Sequence, residues 1–162
     1  MKGVAGWLGT LGACLASGTS AVEVELVDLK VLMSCLSDPS PTPILSDLVA
    51  SGALTDRTGP GWDDEFCWKL SEPLEWEGLG FKDVCVVTDD PVEIGSHPDL
   101  YWVNSTAPWT EVWLVAVASW ATLKAWADAT LPVESRFEID SFGSEHAESA
   151  LSCSEWRFPL AG

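Results

Sequence analysis

Two histidines, His97 and His146, are the only imidazoles in 162 residues. Acid–base chemistry near neutral pH therefore has few carriers. A serine hydrolase needs a serine within hydrogen-bond reach of an oriented imidazole. Serines and aspartates are plentiful, but no G-x-S-x-G elbow accompanies them. H-E-x-x-H, P-loop and G-x-G-x-x-G patterns are missing too, so metalloprotease and nucleotide chemistry lack support. Both histidines read as surface loop residues. The densest polar cluster is Asp89, Asp90, Glu93 and Asp99, with His97 between them. Converging carboxylates suit Ca²⁺, which makes these four the candidate metal site. Their spacing matches no EF-hand loop, and a solvated strand end competes with the metal reading. Asp63, Asp64 and Glu65 beside Trp62 form a second acidic knot. No other cofactor is expected.

Ten tryptophans stand against one tyrosine, Tyr101. Indole faces stack on sugar rings, and two carboxylates about 5–9.5 Å apart would cleave a glycosidic bond. Trp62, Trp76 and Trp102, with Trp68, are the candidate ligand platform. Tryptophan also buries a large area and commonly serves a core or an interface. Nothing singles out one carboxylate pair. No catalytic residue is assigned, and the balance leans away from an enzyme.

The first 21 residues carry one charge, Lys2, then a weakly apolar run from Val4 to Ala16, then small residues through Ala21. This has the form of a secretory signal peptide cut after Ala21, with Thr19 and Ala21 as the small flanking residues. An ordinary N-terminal helix is disfavoured by Gly3, Gly6, Gly9 and Gly12. Within that segment, Leu11-Gly12-Ala13-Cys14 resembles the lipobox of bacterial lipoproteins. That resemblance implies lipidation of Cys14, which would become the first mature residue and anchor the chain to a membrane. The expected location is therefore secreted or periplasmic, with a lipid anchor as the alternative.

Beyond Cys14, four cysteines remain, an even number that suits an oxidising compartment. Four cysteines allow three pairings. Cys67 and Cys85 sit on two runs that read as neighbouring strands, which favours Cys67–Cys85 with Cys35–Cys153. Four buried free thiols are the alternative. A zinc site is disfavoured, because no C-x-x-C pair exists.

Charge excludes whole classes of partner. Without Lys2 the chain has seven basic and 25 acidic residues, net −18. Nucleic acid and anionic lipid surfaces repel such a chain. The acids are dispersed rather than run together, which is not the pattern of a disordered tail. They serve solubility, or else they form a surface for a cationic partner.

The elements that must position these groups follow from periodicity. Ser105 to Pro132 reads as a long helix, capped by Ser105 or Thr106 and with Pro108 in its first turn. Trp109, Trp113, Ala116, Trp120, Leu123, Ala127 and Leu131 share one stripe of it, the spacing of a core face. The run Val112–Val117 is β-branched enough to be a buried strand, so a strand over 110–117 before a helix over 119–131 competes. No membrane span is expected: the uncharged run between Glu111 and Lys124 is twelve residues, short of the roughly 18 needed.

Alternation predicts a bulged strand over 22–35, in competition with a helix over 26–36. Thr42 caps a helix running from Pro43 to about Leu54. Strands follow at 66–70, 74–77 and 83–88, then short ones at 100–103, 136–140 and 151–158. Thr55–Gly61 and 89–98 read as loops, and Asn104-Ser105-Thr106 is an N-glycosylation sequon. The expected fold is one α+β domain over residues 22–162, stapled by disulfides. Its antiparallel sheet of four to six strands packs on the long tryptophan-rich helix. The expected function is a small exported acidic protein that binds a protein or glycan partner without catalysis. A secreted glycan-binding module or small glycoside hydrolase is the first alternative, and a secreted toxin or effector the second.

Overall fold

The computed structural model describes residues 21–36, 41–59, 65–105, 109–142 and 148–154. Residues 1–20 of the targeting segment, including Cys14, as well as Trp62, Asp63, Asp64 and His146, lie outside the described residues. The fold is α+β, a single six-stranded antiparallel sheet with helices packed on it. Its strands are β1 (Leu54–Thr58), β2 (Phe66–Trp76), β3 (Leu79–Val87), β4 (Glu111–Ala116), β5 (Phe137–Phe142) and β6 (Glu148–Ser154), in the spatial order β1-β2-β3-β4-β6-β5. The helices are α1 (Ala21–Leu32), α2 (Pro41–Ser51), α3 (Pro91–Ser96) and α4 (Trp120–Thr130).

Period-2 side-chain alternation gives the sheet two different faces. Val84, Val86, Val112, Leu114, Leu151 and Cys153 point to one face, where they meet Leu29 of α1 and Met33 just after it, Leu45 and Leu48 of α2, and Leu123 and Ala127 of α4. Each fully buried leucine there contributes roughly 1.5–3 kcal/mol. The opposite face carries a small second cluster: Cys85, Val115 and Ala150, with Cys67 and Trp113 against them. No described helix residue belongs to that cluster.

The long helix expected over 105–132 does not form. The first half of the stretch is β4, and Ser119 starts α4, an ordinary helix of 11 residues. Its extended backbone and side chain cap the helix, accepting from the Thr122 N–H at 3.3 Å. The strand wins because β4 lies between β3 and β6 and is buried on both faces. Such a position favours β-branched side chains on both sides. The supposed stripe is thereby broken. Trp113 belongs to the small cluster on the opposite face, and Trp120 stands on α4 at 46% exposure.

The bulged strand over 22–35 is likewise replaced, by α1. A strand would place Val27, Leu29 and Val31 on one face. The helix parts them: Leu29 is fully buried, whereas Val27 and Val31 are 53% and 66% exposed. Lys30 lies in the last turn, favourable to the helix dipole, and donates to the Glu75 carbonyl at 3.1 Å. Cys35, at φ 54°, turns the chain away and joins Cys153 of β6.

Smaller differences share one cause, a partner distant in sequence. Thr55–Thr58 is not a loop but the edge strand β1, paired with β2. The runs 66–70 and 74–77 are one strand, β2, with a register irregularity around Pro73, which has no N–H for a ladder. The hairpin turn falls at Glu77-Gly78, both at positive φ (46° and 80°), as a two-residue type I′ loop demands. Residues 100–103 form turns rather than a strand, and the 89–98 loop contains α3. Helix α2 packs on α1 and on the edge strand β1, and ends at Gly52 in the left-handed region.

Both sheet edges are blunted. In β1, Asp56 takes a left-handed backbone where the pairing with β2 slips. In β5, the Trp120 indole N–H donates to the Ile139 carbonyl at 2.8 Å. Each device weakens an edge as a template for another strand.

Candidate functional site

The segment from Thr88 to Trp102 gathers the densest polar contacts around the end of β3. Thr88 and Thr110 hydroxyls meet at 2.7 Å, both buried, where β3 ends and β4 is about to begin. The Asp90 N–H donates to Thr88 Oγ1 at 3.2 Å. The Asp90 carboxylate then caps α3, accepting from Val92 N at 2.7 Å and Glu93 N at 3.4 Å. Pro91 occupies the first turn, where no N–H is needed.

A three-residue chain of hydrogen bonds ties α3 to α2. Thr42 Oγ1 donates to Glu93 Oε2 at 2.7 Å and lies 2.6 Å from the Tyr101 hydroxyl. Threonine has one hydroxyl proton, so Tyr101 must be the donor to Thr42. Tyr101 is almost wholly buried, and loss of solvent pushes its phenol up to about 12. The arrangement has the form of a proton relay. Its phenol end is sealed from solvent, so it works as a latch between α2, α3 and the turn at 98–101. Thr42 therefore bonds two other segments of the chain. The sequence signal for the latch was Tyr101 itself, the single tyrosine, but neither partner could be named from spacing.

The candidate metal set is dispersed in its bonding. Asp90 is a helix cap, Glu93 accepts from Thr42, and the Asp99 backbone carbonyl accepts from the Arg57 guanidinium. Asp89 is exposed. Among the described residues no group of three His, Cys, Asp or Glu side chains is placed to hold a metal ion. His97 acts through its backbone: its N–H caps α3 at Glu93 O, and its carbonyl accepts from Leu100 N and Tyr101 N. Its ring makes no hydrogen bond to a described residue.

The indoles are mostly structural. Trp76 is half-buried, with ring centroids 5.1 Å from Trp126 and 6.3 Å from Phe81, and the Trp126 indole donates to the Trp76 carbonyl at 3.0 Å. Trp102 is half-buried, edge-on to Phe66 at 5.9 Å, while Arg57 covers the Phe66 ring at 4.5 Å. Both lie against the main core. Trp120 is the exposed indole among the described residues.

Glu111 is a buried carboxylate in β4. It accepts from the Trp109 indole at 2.8 Å and lies opposite Ser154 across the β4–β6 ladder. Lys82 bridges Asp83 at 3.2 Å and Glu148 at 2.7 Å. The bond to Glu148 raises the ammonium pKa most, partly offset by burial and reinforced by Asp83.

Cys67 and Cys85 face each other across β2 and β3, at a Cα separation of 4.0 Å, and are joined by a disulfide. Cys35 and Cys153, 5.4 Å apart, join the end of α1 to β6. No helix among the described residues is long and apolar enough to cross a membrane. The exposed basic side chains of the described residues are Arg57, Lys69 and Arg136, against thirteen exposed acidic ones. Comparison of the chain with protein families, characterised proteins and solved structures finds no match.

Proposed function

We propose that this protein is a small exported binding module that works without catalysis and meets a cationic partner through its acidic surface. The excess of exposed carboxylates carries the reading. Glu72, Glu75 and Glu77 project near the β2–β3 turn, and Glu134, Glu138 and Asp140 line β5 and its approach. The three exposed basic residues among the described ones are too few to neutralise such a surface, and its field steers a positively charged ligand towards it. Two disulfides support export to the periplasm or beyond, with lipid anchoring at Cys14 as the alternative form. The glycan reading draws less support, because Trp76 and Trp102 pack into the core rim rather than forming an open platform.

Titration with a lysine-rich peptide tests the reading. We expect binding whose affinity falls at least about tenfold between low and physiological salt. Absence of binding, or binding indifferent to salt, sinks it. Turnover on a panel of ester, peptide and glycoside substrates would equally overturn the non-catalytic part. An unprocessed N-terminus on protein from its native cells would remove the export part.

A further inference from the structure

We propose that Cys67–Cys85 is a thiol-exchange site, the disulfide that an external dithiol opens while the fold stays intact. Three observations carry this. First, Cys67 is only half-buried and lies on the sheet face where no described helix residue joins the apolar cluster, whereas Cys35 and Cys153 are fully buried in the helix-covered core. Of the four bridged cysteines, Cys67 alone keeps part of its surface open to solvent, the side from which a thiolate would approach. Second, Cys67 and Cys85 stand directly opposite in an antiparallel pair held on both sides by backbone register: Phe66 with Val86, and Trp68 with Val84. The hairpin keeps its ladder when the sulfur bridge opens. Third, the bridge closes only 18 residues of chain that the Glu77-Gly78 turn already closes. The other bridge spans 118 residues and ties α1 to β6.

The step balances without further reagents. One thiolate of the dithiol attacks the Cys67 sulfur, the S–S bond breaks, and the Cys85 sulfur leaves with the electron pair and takes a proton from water. The second thiol of the reagent then attacks the mixed disulfide, releasing Cys67 as a thiol. The dithiol ends as a disulfide and the protein gains two electrons and two protons. The inference is independent of the binding reading, and either can fail alone.

The test uses the intact oxidised protein in native buffer with dithiothreitol. Samples are quenched with N-ethylmaleimide and mapped by peptide mass, with tryptophan fluorescence followed in parallel. Cys67 and Cys85 should label at least about tenfold faster than Cys35 and Cys153, with native fluorescence retained. Simultaneous labelling of all four, earlier labelling of Cys35 and Cys153, labelling only as fluorescence is lost, or none without denaturant would each overturn the proposal. As a control for foldedness, the doubly substituted Cys67→Ala, Cys85→Ala chain should keep the native fluorescence. Its failure to fold would also count against the proposal.

Discussion

Replacing Thr42 by valine removes one hydroxyl and keeps the shape of the side chain. Tyr101 then loses its acceptor in a site it almost entirely shares with protein atoms. An orphaned buried hydroxyl costs about 1–3 kcal/mol. Glu93 is half-buried, so water replaces the lost donor at little further cost. Tyr101→Phe behaves differently. Thr42 still donates to Glu93, no group is orphaned, and the cost is about 1 kcal/mol. The double variant has neither hydroxyl, so the orphan penalty of the first change vanishes. Its destabilisation should fall short of the summed single effects by on the order of 1 kcal/mol. Thr42→Ser keeps the hydroxyl and should lose less than Thr42→Val. Urea unfolding followed by tryptophan fluorescence measures all four, and roughly 2 kcal/mol shifts the midpoint by about 1 M. Additivity within about 0.3 kcal/mol, or a neutral Thr42→Val, would refute the proposed donor order and the latch it builds.

Further outcomes follow from the same contacts. Tyr101 holds its proton to about pH 12 when folded but to about 10 when unfolded, so stability falls as pH rises through that window, by on the order of 2–3 kcal/mol. Tyr101→Phe should flatten that part of the curve in unfolding experiments run from pH 9 to 12. Removing Cys35–Cys153 by paired alanines should cost about 4–5 kcal/mol in the chain-entropy account, and removing Cys67–Cys85 about 3 kcal/mol. Equal losses, or the reverse order, in denaturant unfolding would contradict the assignment of structural and exchangeable bridges. Glu77→Asn should stabilise by about 0.5 kcal/mol, because asparagine suits the left-handed first position of this turn better than glutamate. A lower thermal midpoint would count against the type I′ assignment.

Several features were open to a reader of the sequence. Phe66–Leu70 and Asp83–Val87 are short, mostly apolar runs set off by turn residues, and both lie within strands. The α2 helix shows its proline-rich start, but it runs from Pro41 to Ser51, with Thr42 inside it rather than capping it and Leu54 already in β1; the acidic excess needs no structure at all. The division into a strand over 110–117 and a helix over 119–131 was the competing reading of that stretch, and it is the one the fold adopts. The candidate site was less legible. Asp89, Asp90, Glu93 and Asp99 crowd together in sequence, yet Asp90 caps its own helix and Glu93 reaches back 51 residues to Thr42.

Local pattern alone thus settled the class of the fold, the antiparallel hairpins and the charge that restricts partners. Tertiary contacts decided the rest. Val112–Val117 satisfies a helix and a strand equally well in isolation. β3 and β6 decide for the strand, by supplying hydrogen bonds along both of its edges. In α1 and the turn after it, Leu29 and Met33 find a core to enter while Val27 and Val31 do not, and that division selects helical spacing over alternation. Local periodicity says which residues share a face. It does not say what lies opposite, and burial free energy depends on what lies opposite.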